Sequence, residues 1–190
     1  MRKGVVVLQV FFDAEPWALP VTVVACAVAL AASPVLARRH GGNPLVWWLY
    51  LSAVGGFLAV TITPTGGHFS GGLSTHVIRS MSPSLPNLRD LRALNEVSLN
   101  LLVAVPLGAA AVLLSSVLRR YWPLLAIGLP FVSELVQGVL PGLSRVGFVL
   151  GDALTNLVGV AMGAAGGVVL ALVMRAGASG IEKHRTTARA

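Results

Sequence analysis

Five long runs of apolar residues limit what this chain can fold into. An α-helix needs about 20 mainly apolar residues to cross the hydrocarbon core of a bilayer. The runs that approach or exceed this length are 17–36, 45–64, 99–118, 122–141 and 148–174. Only 11% of all residues are charged, whereas soluble domains carry roughly 25%. The sequence therefore predicts an all-α, polytopic helix bundle with about five transmembrane helices in the cell membrane.

The first apolar run has two interpretations. Residues 23–26 loosely resemble a lipoprotein cleavage box, and residues 35–37 resemble a signal-peptidase site. A signal peptide, however, has its basic residues directly before the apolar stretch. Here Asp13 and Glu15 separate Arg2 from that stretch, so we expect a retained transmembrane helix.

Basic residues near the ends of the runs predict the orientation. Eight fall on one side of the predicted membrane and six on the other. The eight are Arg38, Arg39, Arg119, Arg120, Arg175, Lys183, Arg185 and Arg189. Because cytoplasmic loops carry the excess of Lys and Arg, we expect an external N-terminus and a cytoplasmic C-terminal tail. The net charge of +7 then belongs to residues that flank the membrane, and it predicts no nucleic-acid partner.

These assignments divide the chain into three parts. Residues 1–94 are predicted to hold two spans and an extracytoplasmic loop at 65–95. In this loop 65–74 are predicted to be irregular, 82–86 to form a turn, and 87–95 to begin a helix that runs into the third span. Residues 95–174 hold three spans, and 175–190 form a basic cytoplasmic tail. The single cysteine excludes a disulfide framework. Two loop histidines, His68 and His76, lack a third ligand, so we predict neither a metal site nor a cofactor.

Polar residues in the last three runs are the candidate functional residues. They form three pairs, each sharing one helical face because its members are three or four residues apart. The pairs are Glu96 with Asn100, Glu134 with Gln137, and Asp152 with Asn156. Since successive spans alternate in direction, all three pairs, together with Arg145 in the last loop, are expected at one membrane face, the outer one by the charge count. They form either an outward-facing binding pocket or proton relay, or interhelical hydrogen bonds that hold the bundle together.

The last run also contains a stripe of glycines. Gly159, Gly163 and Gly167 recur every four residues. Glycines at this spacing let a neighbouring helix approach closely, so we interpret the stripe as a packing surface.

The order of these motifs resembles that of the VanZ-like family of membrane proteins. The elements are Asn100 followed by Pro106-Leu107-Gly108, Glu134-x-x-Gln137, Pro141-Gly142, and Asp152-x-x-x-Asn156-x-x-Gly159. The resemblance covers about residues 95–167. Members often carry an arginine directly after Pro-Gly, whereas Leu143 and Ser144 precede Arg145 here. The family is named for a protein associated with low-level resistance to the glycopeptide teicoplanin, so the resemblance implies a bacterial cell-envelope role without specifying a reaction.

Three functions remain open at this point. The first is a pocket that engages an envelope lipid or a cell-wall precursor. The second is a membrane-embedded hydrolase or transferase with Glu134 and Asp152 as acid and base, although the chain lacks an HExxH sequence and a serine-nucleophile motif. The third is a small proton-coupled transporter, a class that commonly has internal repeats and a site near the midplane. No catalytic residue is assigned.

Overall fold

Helices account for most of the structure. The computed structural model describes residues 15–64, 77–87, 96–114, 121–140, 143 and 147–187. Within these ranges there are five helices, α1 (Ala18–His40), α2 (Pro44–Ile62), α3 (Glu96–Leu113), α4 (Tyr121–Val139) and α5 (Leu150–Thr187), and two strands, β1 (Ile78–Ser80) and β2 (Phe148–Val149). The predicted helical architecture is confirmed for the described residues.

Three of these helices are long and apolar enough to cross a membrane. They are α1, α2 and the Leu150–Ala176 part of α5. The apolar segments of α3 and α4 are shorter, Val97–Leu113 and Leu124–Val139. Large apolar side chains point away from the protein on several helices, and Leu124 of α4, for example, is 69% exposed. Exposed apolar side chains of this kind are suited to contact with the hydrocarbon chains of a bilayer.

A tight turn joins α1 to α2. Gly41 ends α1 with φ of +81°, and its N–H donates to the carbonyl oxygen of Ala37 over 2.9 Å. Asn43 then caps α2, because its side-chain oxygen accepts from the N–H of Leu45 over 2.8 Å. The two helices therefore run antiparallel, and α1 packs along the outside of α2.

The closest helix contact joins α3 and α5, which run parallel. The glycine stripe of α5 faces the backbone of α3 so tightly that an added Cβ would overlap main-chain atoms at each step. The facing pairs are Gly159 with Leu101, Gly163 with Val105, and Gly167 with Ala109. Gly108 of α3 reciprocates against the carbonyl of Val160. The predicted packing role of the stripe is confirmed.

An apolar core fills one half of the bundle. It is built from α2, α3, α4 and α5 around α3, which is the most enclosed helix. Its buried members are Trp47, Tyr50, Phe57, Ala104, Leu107, Ala110, Ala111, Leu114, Ala126 and Val160. The buried polar side chains of α2 to α5, in contrast, gather toward the other end of these four helices.

The two strands are a feature that the sequence analysis missed. β1 pairs in parallel with β2, and the N–H of Phe148 donates to the carbonyl oxygen of Val77 over 2.8 Å. The sequence predicts no structure for residues 78–80, where β1 lies. The irregular segment predicted at 65–74 and residues 88–95 of the predicted helix lie outside the described ranges. The last span was predicted to begin at Phe148, but α5 begins at Leu150 because the two preceding residues pair with β1.

The last helix is also longer than predicted. It continues beyond Met174 to Thr187, so most of the predicted tail is helical.

The glycine contact predicts unequal effects of two alanine substitutions on α5. Gly163→Ala places a Cβ against the carbonyl of Val105, and we expect it to lower the free energy of unfolding by about 1–3 kcal/mol. Gly166→Ala is the matched control, because nothing lies within 4 Å of its added Cβ. It should be neutral or slightly stabilising. Thermal unfolding of the purified variants in detergent measures both, and equal stability would contradict the packing role.

Candidate functional site

Four helix ends meet at the polar end of the bundle. The side chain of Gln137, near the end of α4, donates from Nε2 to the carbonyl oxygen of Thr61, near the end of α2, over 2.5 Å. Gly159, in the third turn of α5, lies against Leu101, in the second turn of α3. The C-terminal ends of α2 and α4 therefore lie with the N-terminal ends of α3 and α5. We call the polar residues gathered there the polar cluster.

The α4 members of the polar cluster lie on the inner face of that helix. Glu134 is 3% exposed and Gln137 is 9% exposed. They continue a buried stripe through Ala126, Pro130 and Ser133, whose spacing of three and four residues keeps it on one face. Leu135, on the opposite face, is 51% exposed. The sequence therefore places its polar residues inward and its large apolar residues outward in α4.

Glu134 is connected to the start of α5. Its Oε2 accepts a hydrogen bond from the backbone N–H of Val149 over 3.4 Å. This bond links the carboxyl group to the residue that precedes the first turn of α5. A buried carboxyl group is costly unless it is partnered, and the main-chain N–H of Val149 lowers that cost here.

The α5 members occupy its first two turns. Asp152 is half-buried and lies in the first turn, where the positive end of the helix dipole favours a carboxylate. Thr155 is buried, and its hydroxyl donates to the carbonyl oxygen of Gly151 over 2.9 Å. Asn156 is 1% exposed. Because it precedes Gly159 by three residues, Asn156 lies on the side of α5 that faces α3.

The α3 contribution is only partly described. Asn100 is half-buried in the second turn, and Glu96 is the first residue of the helix, described here by its backbone alone. Arg145 lies outside the described residues. The structure thus brings together Asn100, Glu134, Gln137, Asp152 and Asn156 at one end of the bundle, with the first residue of α3 at the same end.

Sequence reasoning missed several hydroxyl-bearing members of this end. Ser98 is 3% exposed. It precedes Leu101 by three residues, as Asn156 precedes Gly159, so Ser98 and Asn156 lie at the same height in these two parallel helices. Thr61, Ser133 and Thr155 are also buried. The sequence does contain a signal for these residues. Each lies within one helical turn of a predicted polar residue or of a helix end. A small hydroxyl residue is common in apolar helices, however, so the signal is weak.

The segment 77–87 crosses the ends of α4 and α5. The carbonyl oxygen of Val77 would lie 2.5 Å from a Cβ at Gly138, and Ser84 occupies the space that a side chain at Gly151 would need. Both glycines are therefore required for this close approach. We call residues 77–87 the covering segment, because they lie over the helix ends next to the polar cluster.

Asn156 has unsatisfied hydrogen-bonding atoms. Neither Nδ2 nor Oδ1 has a hydrogen-bond partner, and both atoms are inaccessible to solvent. Leaving a buried donor or acceptor unpaired costs about 1–3 kcal/mol. Other buried side chains around it, such as Gln137 and Thr155, are bonded to main-chain carbonyls. Among the described residues of the polar cluster, Asn156 is the one whose buried side-chain atoms have no partner.

The chemistry available in the polar cluster is mainly hydrogen bonding. The described side chains of the polar cluster offer two carboxyl groups, three carboxamides and several hydroxyls, next to two helix N-termini. Within the described residues, no three His, Cys, Asp or Glu side chains are placed to hold a metal ion, and His68 and His76 lie outside those residues. No family model, curated protein or solved structure matches the chain.

The bond between α2 and α4 predicts a stability difference between two α4 variants. Gln137→Leu leaves the buried carbonyl of Thr61, at a helix end without intrahelical partners, with no donor. We expect the free energy of unfolding to fall by about 1–3 kcal/mol. Ser133→Ala is the control, because the Ser133 hydroxyl donates only within α4, to the carbonyl of Pro130, and its loss should cost well under that. Unfolding in detergent measures both, and an unchanged Gln137→Leu would show that the contact adds nothing.

Proposed function

We propose that the chain is a VanZ-like integral membrane protein of the bacterial cell envelope. It crosses the membrane five times, and its polar cluster binds an envelope lipid or a cell-wall precursor at the outer face. The observation that carries this proposal is the meeting of three separate motifs in one cluster. Asn100 comes from α3, Glu134 and Gln137 from α4, and Asp152 and Asn156 from α5.

Helix lengths support five spans. α3 has 18 residues and α4 has 19, which correspond to about 27 and 28 Å of helix. The hydrocarbon core is about 30 Å thick. Both helices pack between α2 and α5, which are long enough to span on their own. A helix that packs between two spanning helices is most simply accommodated as a further span.

Ligand binding accounts for features that packing alone leaves costly. A bundle held together by polar pairs would be expected to satisfy its buried groups internally. Here the amide of Asn156 is unsatisfied, next to the end of the helices where a headgroup would lie. The basic residues that flank the opposite end favour an external position for the cluster. A role in glycopeptide resistance follows from the family resemblance alone.

A membrane-embedded hydrolase or transferase is the second candidate. The two carboxyl groups are differently placed, since Glu134 is fully enclosed and Asp152 is half-exposed. Carboxyl groups in different environments can divide acid and base roles. Incubation of the purified protein with labelled envelope lipids tests this candidate, and the absence of any product with a range of added metals would count against it.

The binding proposal predicts the effect of neutralising the carboxyl groups. Glu134→Gln and Asp152→Asn keep the size of each side chain and remove its charge. We expect each variant to lose function as fully as deletion of the gene does, and so to produce the deletion phenotype. Membrane insertion and protein level should be unchanged. Glu182→Gln is the control, since it makes the same change 30 residues farther along α5. Full function of both cluster variants would contradict the proposal.

The five-span arrangement predicts the location of reporter fusions. Alkaline phosphatase fused after residue 72 should be active, because the loop at 65–95 is external in this arrangement. A fusion after residue 41 or 119 should be inactive, and green fluorescent protein at the C-terminus should fluoresce. The inverse pattern would place the polar cluster at the cytoplasmic face. Activity after both 72 and 119 would exclude five alternating spans.

A further inference from the structure

The side-chain amide of Asn156 lies at the inner end of the polar cluster. Its side chain is 1% exposed, and neither its nitrogen nor its oxygen has a hydrogen-bond partner. One turn deeper, Gly159 is in contact with the carbonyl of Leu101, so α3 and α5 close the space below. Val160 then belongs to the apolar core. Asn156 therefore lies between the apolar core and the polar end of the bundle.

The chemistry of the amide restricts what it can bind. A carboxamide presents both a donor and an acceptor, and both are unpaired here. A phosphate oxygen can satisfy only the donor, and an ammonium group can satisfy only the acceptor. A hydroxyl group donates and accepts at once, and two neighbouring hydroxyls match both atoms of the amide. The complementary ligand is thus a neutral hydroxyl-bearing group.

The surrounding charges favour the same class of ligand. Glu134 and Asp152 lie at this end and, when ionised, repel an anion. Asp152 lies in the first turn of α5, where the positive end of the helix dipole favours its ionised form. Glu134 in turn accepts from Val149, and Asp152 is partnered as well. Asn156, in contrast, is neutral, and neither of its buried side-chain atoms has a partner.

We propose that Asn156 binds a hydroxyl group of a lipid headgroup, either a glycerol or a sugar, rather than its phosphate. This inference rests on the proposed function and names the part of the envelope lipid that the polar cluster recognises. Asn156 is then a binding residue whose cost in the unliganded protein is offset when the headgroup is bound. Replacing the amide with an apolar side chain should remove binding without the usual loss of stability.

The test compares headgroups in lipid nanodiscs. Purified full-length protein is placed in phosphatidylcholine discs, to which phosphatidylglycerol, a diglucosyl diacylglycerol or phosphatidic acid is added. Phosphatidylglycerol carries a phosphate and two hydroxyls, the glucosyl lipid carries hydroxyls without phosphate, and phosphatidic acid carries phosphate alone. We expect one or both hydroxyl lipids to raise the unfolding temperature by about 5–10 °C at saturating ligand, and phosphatidic acid to leave it unchanged.

Variants connect the shift to the amide. In Asn156→Leu and the smaller Asn156→Ala, the shift should fall below about 1 °C, while in phosphatidylcholine alone at least one of the two should unfold at or above the wild-type temperature. Thr22→Val is the control, because the Thr22 hydroxyl is bonded within α1, outside the polar cluster, and it should keep the full shift.

Several results would overturn the proposal. They are a shift produced equally by phosphatidic acid, no shift with either hydroxyl lipid, a shift that persists in both Asn156 variants, or both variants unfolding well below wild type without added lipid. The measurement uses purified protein and no phenotype. A missing lipid effect would therefore overturn the Asn156 proposal alone. The proposed function itself would be overturned by Glu134 and Asp152 variants that leave function unchanged.

Discussion

The backbone contact between α3 and α5 is the constraint on which the rest of the bundle depends. Gly159, Gly163 and Gly167 place the two helices in parallel and fix their relative height. That height sets Ser98 level with Asn156 and closes the space beneath the polar cluster. The same contact leaves little room for large side chains between the helices, so most of the core residues that surround α3 come from α2 and α4. One stripe of small residues thus determines both the packing and the depth of the candidate site.

Polar groups are accommodated in this apolar chain by their position at helix ends. Carbonyls near the end of α2 and the N–H groups before α5 lack intrahelical partners, and Gln137 and Glu134 bond to them directly. The covering segment 77–87 lies against the same end, at Gly138 and Gly151. Gln137 and Glu134 therefore each satisfy a main-chain group near a helix end. Asn156 departs from this arrangement, and for that reason it carries the functional argument.

Local patterns predicted the helices well and their limits less well. The run at 45–64 corresponds to α2 and the run at 122–141 to α4, because the length of an apolar run can be determined from the local sequence alone. The start of α5 was placed two residues early, since Phe148 pairs with β1, and pairing with a segment some 70 residues away leaves no local signal. The polar pairs were found because polar residues are unusual in apolar runs, whereas buried Ser98, Thr61 and Thr155 resemble ordinary helix residues.

The sequence by itself determined that this is a helical, apolar chain whose polar residues share helix faces and whose glycine stripe favours close packing. These properties depend on composition and on the 3.6-residue period, which local sequence contains. Only the tertiary structure decided that the covering segment pairs with the residues before α5, that Gln137 bonds to α2, and that Asn156 is enclosed without a partner. Such contacts join residues distant in sequence, and their geometry is set by how the helices pack.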